Sequence, residues 1–83
     1  MTAADVNFDP GNIKFDVFAL FLEARRIHRG LTPHIVAQEA GVAREAVERA
    51  ARGRNPGEDE FFALATWMGE APELFFRKGQ GHG

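Results

Sequence analysis

Apolar residues recur at every third or fourth position after residue 14, which is the spacing of one face of an α-helix beginning near Phe15 or Asp16. The members of this stripe are Val17, Leu20, Phe21, Ala24 and Ile27. We expect the stripe to point into the core, and Phe18 and Leu22, which lie off it, to make a second contact. Gly30 follows a basic final turn and is predicted to end this first helix.

Two shorter helices are predicted next, joined by a glycine turn. Thr32 is a suitable N-cap and Pro33 suits a first turn, so the second helix runs from there to Ala40. Gly41 supplies the turn. In the third helix, 43–52, all charged residues fall within an arc of about 140°, and small apolar residues fill the opposite side. That helix is predicted to dock on the core with its charged side outward.

The rest of the chain predicts a fourth helix, a short fifth helix and irregular ends. Residues 58–60 are all acidic, as favoured at a helix start, and Gly69 closes the fourth helix. Residues 71–76 place Pro72 in the first turn of a fifth helix that caps the core. Turn-forming residues at 1–14 and glycines at 77–83 predict an irregular arm and a flexible tail around one domain at 15–76.

Length and composition favour a single small domain. A chain of 83 residues, 45% apolar and 27% charged, does not fill two cores. It has no cysteine, which excludes disulfides and thiolate chemistry and suits a reducing compartment. We find no signal-peptide pattern, and the longest apolar run, 17–22, is far shorter than the ~20 residues of a membrane span. We expect a cytoplasmic protein without a membrane partner.

Charge is distributed unevenly along the chain. The net charge is -2, but residues 25–54 contain seven arginines against three glutamates, which leaves the flanks acidic. A basic middle segment favours a partner that carries phosphates, such as nucleic acid.

Two helices joined by a short turn, the second with one charged face, are the arrangement that reads the DNA major groove. The segments 26–32, 36–42 and 47–56 resemble the Xre/Cro/cI helix-turn-helix family, and 62–69 and 71–75 are similar to its fourth and fifth helices. The resemblance covers about 15–76. It implies an all-α, compact five-helix bundle of the lambda-repressor-like type, with the helix-turn-helix at helices 2 and 3.

The resemblance also implies a function: a sequence-specific DNA-binding transcriptional regulator, a repressor, that reads a short operator as a homodimer. The helix at 43–52 would enter the major groove of double-stranded DNA. The residues expected to read bases are Arg44, Glu45, Glu48 and Arg49. Those expected to hold phosphates are Thr32, His34, Arg52, Arg54 and Asn55.

Several residues depart from the family pattern and keep a second interpretation open. Pro33 stands where the family usually has a glutamine, Ala43 replaces a capping serine or threonine, and Glu45 and Glu48 bring negative charge to the reading face. The alternative is a protein-interaction or antitoxin-like module that keeps the fold and has lost DNA binding. The residues themselves also have a simpler interpretation, in which Arg44 and Arg49 form ion pairs with Glu48 and Glu45 on a solvated helix face and Thr32 acts only as a cap.

The sequence offers no motif for catalysis, metal binding or a cofactor. The histidines His28, His34 and His82 lack metal-ligand spacing, and no phosphate loop or nucleophile motif is present. We expect no enzyme activity, no metal and no cofactor.

Aromatic residues are more numerous than a small core comfortably holds, so some are expected at the surface. Exposure of Phe18, Phe62 or Phe76 would mark an interface with a protein partner. We expect a homodimer through helix one or helix five.

Overall fold

The structure, a computed structural model, describes residues 8–77. Within this range the chain is all-helical, and no strand forms. The elements are the α-helices α1 (Phe15–Arg29), α2 (Pro33–Ala40), α3 (Arg44–Ala51) and α4 (Glu58–Met68), with short 3₁₀ turns at Pro10–Asn12 and Pro72–Phe75. The four α-helices pack around one core.

Local signals place the ends of the first two helices where the sequence predicts them. The Thr32 hydroxyl accepts a hydrogen bond from the Ile35 amide at 3.2 Å and so caps α2. Gly41 ends α2 in the left-handed region at φ 77°, which a side chain would disfavour. The Arg26 guanidinium donates to the Leu31 carbonyl at 2.7 Å and steadies the turn between α1 and α2.

The predicted fifth helix at 71–76 is wrong, because the segment forms only the 3₁₀ turn Pro72–Phe75. Its bonds close over three residues: the Leu74 amide donates to the Ala71 carbonyl at 3.0 Å, and the Phe76 amide to the Glu73 carbonyl at 3.1 Å. Phe76 then adopts an extended backbone and pairs with Ile13. That pairing ends the turn before a full α-helical turn can form.

The predicted core face of α1 is also wrong. Leu20 is 70% exposed and Ile27 is 65% exposed, whereas Phe18 and Leu22 are fully buried. Residues 15, 18, 19 and 22 form a second apolar stripe at helical spacing, and this stripe faces α3 and α4. Helical periodicity alone does not decide between two apolar faces of one helix. The second stripe is buried because it places the rings of Phe15 and Phe18 against Phe61.

The aromatic residues expected at the surface lie elsewhere. Phe18 is fully buried, and Phe62 and Phe76 are half-buried against the core. In the described part of the chain, the exposed large apolar side chains are instead Leu20, Phe21, Ile27 and Leu74.

Phe61 of α4 lies at the centre of the core. Its ring is fully buried, and its centroid lies 4.8 Å from that of Phe18 and 6.1 Å from that of Phe15. Rings from both ends of the described chain also meet it, with Phe8 at 5.7 Å and Phe75 at 6.3 Å. The contacts are mostly tilted or edge-to-face, the geometry that aromatic pairs prefer.

The two ends of the described chain are joined by backbone hydrogen bonds. The Lys14 amide donates to the Phe75 carbonyl at 2.8 Å, and the Arg77 amide to the Asn12 carbonyl at 2.9 Å. Ile13, between them, is 3% exposed and belongs to the core. We call these contacts the end clamp. Of the predicted arm and tail, residues 1–7 and 78–83 lie outside the described residues.

Glu39 connects three helices at the surface. Its carboxylate accepts hydrogen bonds from the Trp67 indole at 2.9 Å and from the Arg29 guanidinium at 3.0 Å. Arg29 also lies 5.6 Å from the centroid of the Trp67 ring. The Trp67 hydrogen bond, followed by that of Arg29, lowers the pKa of Glu39 below its ordinary value.

The burial of α1 gives a matched pair of substitutions. Leu22→Ala removes a fully buried side chain and should lower the free energy of unfolding by about 2–5 kcal/mol. Leu20→Ala removes an exposed one and should change it by less than about 0.5 kcal/mol. Urea unfolding of both variants measures the difference. Equal losses would contradict the orientation of α1.

The Glu39 contacts predict a pH effect. Because the pKa of Glu39 is lower in the folded chain than in the unfolded chain, its stabilisation is present above the ordinary value of 4.5 and is lost as the pH falls through the folded-state pKa. Trp67→Phe and Arg29→Gln should each move the pKa of Glu39 back toward 4.5. Carboxyl NMR titration measures both shifts, and an unchanged pKa in Trp67→Phe would refute the assignment.

Candidate nucleic-acid interface

The position of α3 follows from the small side chains on its inner face. Ala46, Val47 and Ala50 are at most 1% exposed and pack toward α1 and α2. Side chains this small let the helix axes approach closely. A turn of three residues, 41–43, joins α2 to α3, so the two helices are in direct contact.

The opposite side of α3 carries only charged residues and faces solvent. Its members, which we call the charged face, are Arg44, Glu45, Glu48, Arg49 and Arg52. None of them is buried. The face therefore lies where the wheel pattern places it, and it is accessible to a partner.

Arg44 and Glu48 form an ion pair along the helix, with 3.4 Å between Nε and Oε2. Their side chains are 59% and 40% exposed, so the pair contributes little to stability and a ligand can replace it. This is one of the two intrahelical pairs expected if the arginines of α3 only form a solvated face.

Arg49 does not make the ion pair with Glu45 that is expected on a solvated face. Its guanidinium donates to the Pro56 carbonyl at 3.0 Å rather than pairing with Glu45. Pro56 is fully buried, and this bond fixes the loop between α3 and α4. Arg49 thus has a structural role that the sequence pattern did not indicate, because the contact depends on how the loop folds back.

The loop after α3 holds the remaining predicted residues in different environments. The Asn55 side chain accepts a hydrogen bond from the Gly57 amide at 2.9 Å and shapes the loop. Arg52 and Arg54 are exposed, and Arg52 is the C-cap residue of α3. Both guanidinium groups are available at the surface near the C-terminal end of α3.

The start of α2 contributes Thr32 and His34. Both are exposed, and the Thr32 hydroxyl is occupied as the helix cap. The nine predicted residues therefore fall into three neighbouring segments: the start of α2, the outer side of α3 and the loop that follows it. The structure brings α2 and α3 into contact, and α3 leads directly into the loop.

The start of α3 lacks a side-chain cap. Ala43 occupies the N-cap position with an extended backbone and makes no side-chain hydrogen bond. The amides of the first turn are consequently not satisfied by a side chain. Glu45, in the first turn, complements the helix dipole.

No group of three or more histidine, aspartate or glutamate side chains among residues 8–77 is arranged to hold a metal ion. Over the same range, the helices are too short or too polar to cross a bilayer.

Comparisons of the chain with known protein families, with curated proteins and with solved structures find no match.

Capping predicts opposite effects at the two helix starts. Ala43→Ser supplies the missing cap and should raise the free energy of unfolding by about 1 kcal/mol, because the backbone at residue 43 already has N-cap geometry. Thr32→Ala removes an existing cap and should lower it by a similar amount. Chemical denaturation of both variants tests this. An unchanged free energy of unfolding in Ala43→Ser would show that the start of α3 does not need a side-chain cap.

Proposed function

We propose that the protein is a sequence-specific DNA-binding transcriptional regulator, a repressor of the Xre/Cro/cI helix-turn-helix type, with α2 and α3 as its helix-turn-helix. The observation that carries this proposal is the division of α3. One side is closely packed through Ala46, Val47 and Ala50, and the other is entirely charged and open to solvent. A helix that packs on the core along one side and exposes charged side chains along the other suits the major groove.

Dimensions support this placement of α3. The groove is about 12 Å wide and admits one helix, and eight residues extend about 12 Å along a helix axis. The charged side chains of α3 therefore match a short operator half-site. Arg44 reaches bases by exchanging its exposed pair with Glu48 for a guanine edge. Glu45 and Glu48 accept hydrogen bonds from cytosine amino groups.

Phosphate contacts come from residues at both ends of the unit. His34 at the start of α2 and the pair Arg52 and Arg54 after α3 are exposed, and they precede and follow the reading helix in the chain. Thr32 and Asn55 also serve the fold through their own hydrogen bonds. Arg49 serves both the fold and the DNA contact, since its bond to the Pro56 carbonyl leaves other guanidinium N–H groups free to donate to DNA.

A second candidate function keeps the fold and takes a protein partner, as an antitoxin-like module does. The specific observation in its favour is the exposed apolar side of α1, where Leu20 and Ile27 are 70% and 65% exposed. The Arg44–Glu48 pair also suits a face that has no DNA to bind. The two functions differ in their response to DNA.

Binding to random and genomic duplex DNA, titrated from about 50 to 200 mM salt, separates the two functions. The proposed regulator binds with a steep salt slope and prefers one sequence after selection. Absence of binding at low salt would overturn this proposal in favour of a protein partner.

Three arginine substitutions assign the contacts. Arg44→Ala and Arg49→Ala should weaken binding to the selected sequence by roughly 5- to 150-fold, the loss expected for a base contact of about 1–3 kcal/mol. Arg54→Ala should lower the salt slope by about 1. Arg29→Ala is the matched control, since it removes the same charge from a side chain that pairs with Glu39 and belongs to none of the nine predicted contacts. Unchanged binding in all three interface variants would refute the assignment of this face.

A further inference from the structure

The outer side of α1 is apolar along most of the helix. Its residues, which we call the seam, are Val17, Leu20, Phe21, Ala24 and Ile27. Leu20 and Ile27 are 70% and 65% exposed, Phe21 is 38% exposed, and Val17 is half-buried. Their spacing of three and four residues places them in one line about 15 Å long. The seam has no partner within the described chain beyond the edge contacts of Val17 and Phe21.

A groove of about 280 Å³ runs beside one edge of the seam. It is lined by Phe21, Ala24, Arg25, His28, Met68 and Glu70. Leu20 and Ile27 lie on the opposite edge, because residues 20 and 27 precede 21 and 28 by about 100° around the helix. One edge of the seam therefore carries two projecting aliphatic side chains. The other edge carries the groove, at the same level along the helix axis.

Charged residues also differ between the two edges of the seam. Asp16 and Glu23 lie beyond the edge that carries Leu20 and Ile27, and Arg25 and His28 lie along the groove edge. Glu23 forms an ion pair with Arg26 at 2.7 Å, which fixes its position and offsets part of its charge. The Arg25 guanidinium donates to the Met68 carbonyl at 2.8 Å and is also fixed in position. Glu70 adds one negative charge at the far wall of the groove.

We propose that the seam binds a second copy of this chain, with the two α1 helices parallel and related by a two-fold axis along them. Such an axis brings the projecting edge of one seam against the hollow edge of the other, twice. Leu20 and Ile27 of each copy then fill the groove of its partner. Glu23 of each copy then lies beside the edge of its partner that carries Arg25, because the two residues are only about 3 Å apart along the helix axis.

An antiparallel pair does not give this match. A two-fold axis across the helices brings like edges together, so Glu23 faces the acidic edge of the other copy and the groove faces a groove. The parallel arrangement aligns the helix dipoles, but this cost is small for exposed helices and is screened by salt. Shape and charge thus favour the same axis.

The contact is expected to be weak. A seam about 15 Å long with its groove buries less than the roughly 800 Å² per partner of a standard interface. We expect a dissociation constant between about 1 and 100 μM. The contact supplies the dimer that the proposed function invokes, but self-association is measured without DNA, so the two proposals fail separately.

Sedimentation equilibrium with a matched charge control tests the surface. Leu20→Glu should weaken self-association at least about 30-fold, because it brings an unpaired carboxylate into an apolar contact. It should leave the fold intact, since residue 20 is exposed. Gln38→Glu adds the same charge on the exposed side of α2 and should leave the dimer unchanged. A wild-type chain that remains monomeric at about 500 μM would overturn the proposal.

Disulfide trapping tests the axis, and the chain has no native cysteine to interfere. Val17→Cys and Ala24→Cys should each form a dimer linked to its own copy, because both residues lie along the middle of the seam, where a parallel pair sets each residue opposite itself. In an antiparallel pair these positions, about 10 Å apart along the helix, cannot both do so. Gln38→Cys is the control and should remain unlinked. Linking at only one seam position, or at none, would refute the parallel pair.

Discussion

The packing of aromatic rings around Phe61 is the contact on which the rest of the structure depends. Phe61 belongs to α4, but its neighbours come from the segment before α1, from α1 itself and from the turn at the end of the described chain. In a chain of 83 residues without a disulfide, few other contacts join such distant segments. This cluster also sets the rotation of α1, because Phe18 must face Phe61 and the seam must then face outward.

The helix proposed to read DNA stands apart from that cluster. α3 contributes no aromatic ring and is attached through two alanines and Val47. Packing of the inner side therefore does not depend on which residues occupy the outer side. The residues of the charged face are largely free of folding constraints. Arg49 is the exception, since its bond to Pro56 ties the start of α4 to α3. The remaining charged residues can serve a ligand without weakening the core.

Helix boundaries were predictable from sequence because they depend on local chemistry. Thr32 and Gly41 fix the ends of α2 through bonds to residues within four positions. The buried side of α1 was not predictable in the same way, since two apolar stripes compete on one helix and only distant rings select between them. Within the candidate site, the outward direction of the α3 charges follows from helical periodicity. The Arg49 contact does not, because it depends on a loop whose path no local pattern specifies.

The end clamp has a consequence for the order of folding. Its pairing joins residues 13 and 76, so it closes a loop that contains almost the whole described chain. Closing a long loop costs conformational entropy that is recovered only once the intervening helices are in place. Helices α1 to α4 can dock through contacts between near neighbours, and the clamp then forms last, when it brings the buried side chains of Ile13 and Phe75 onto the assembled core.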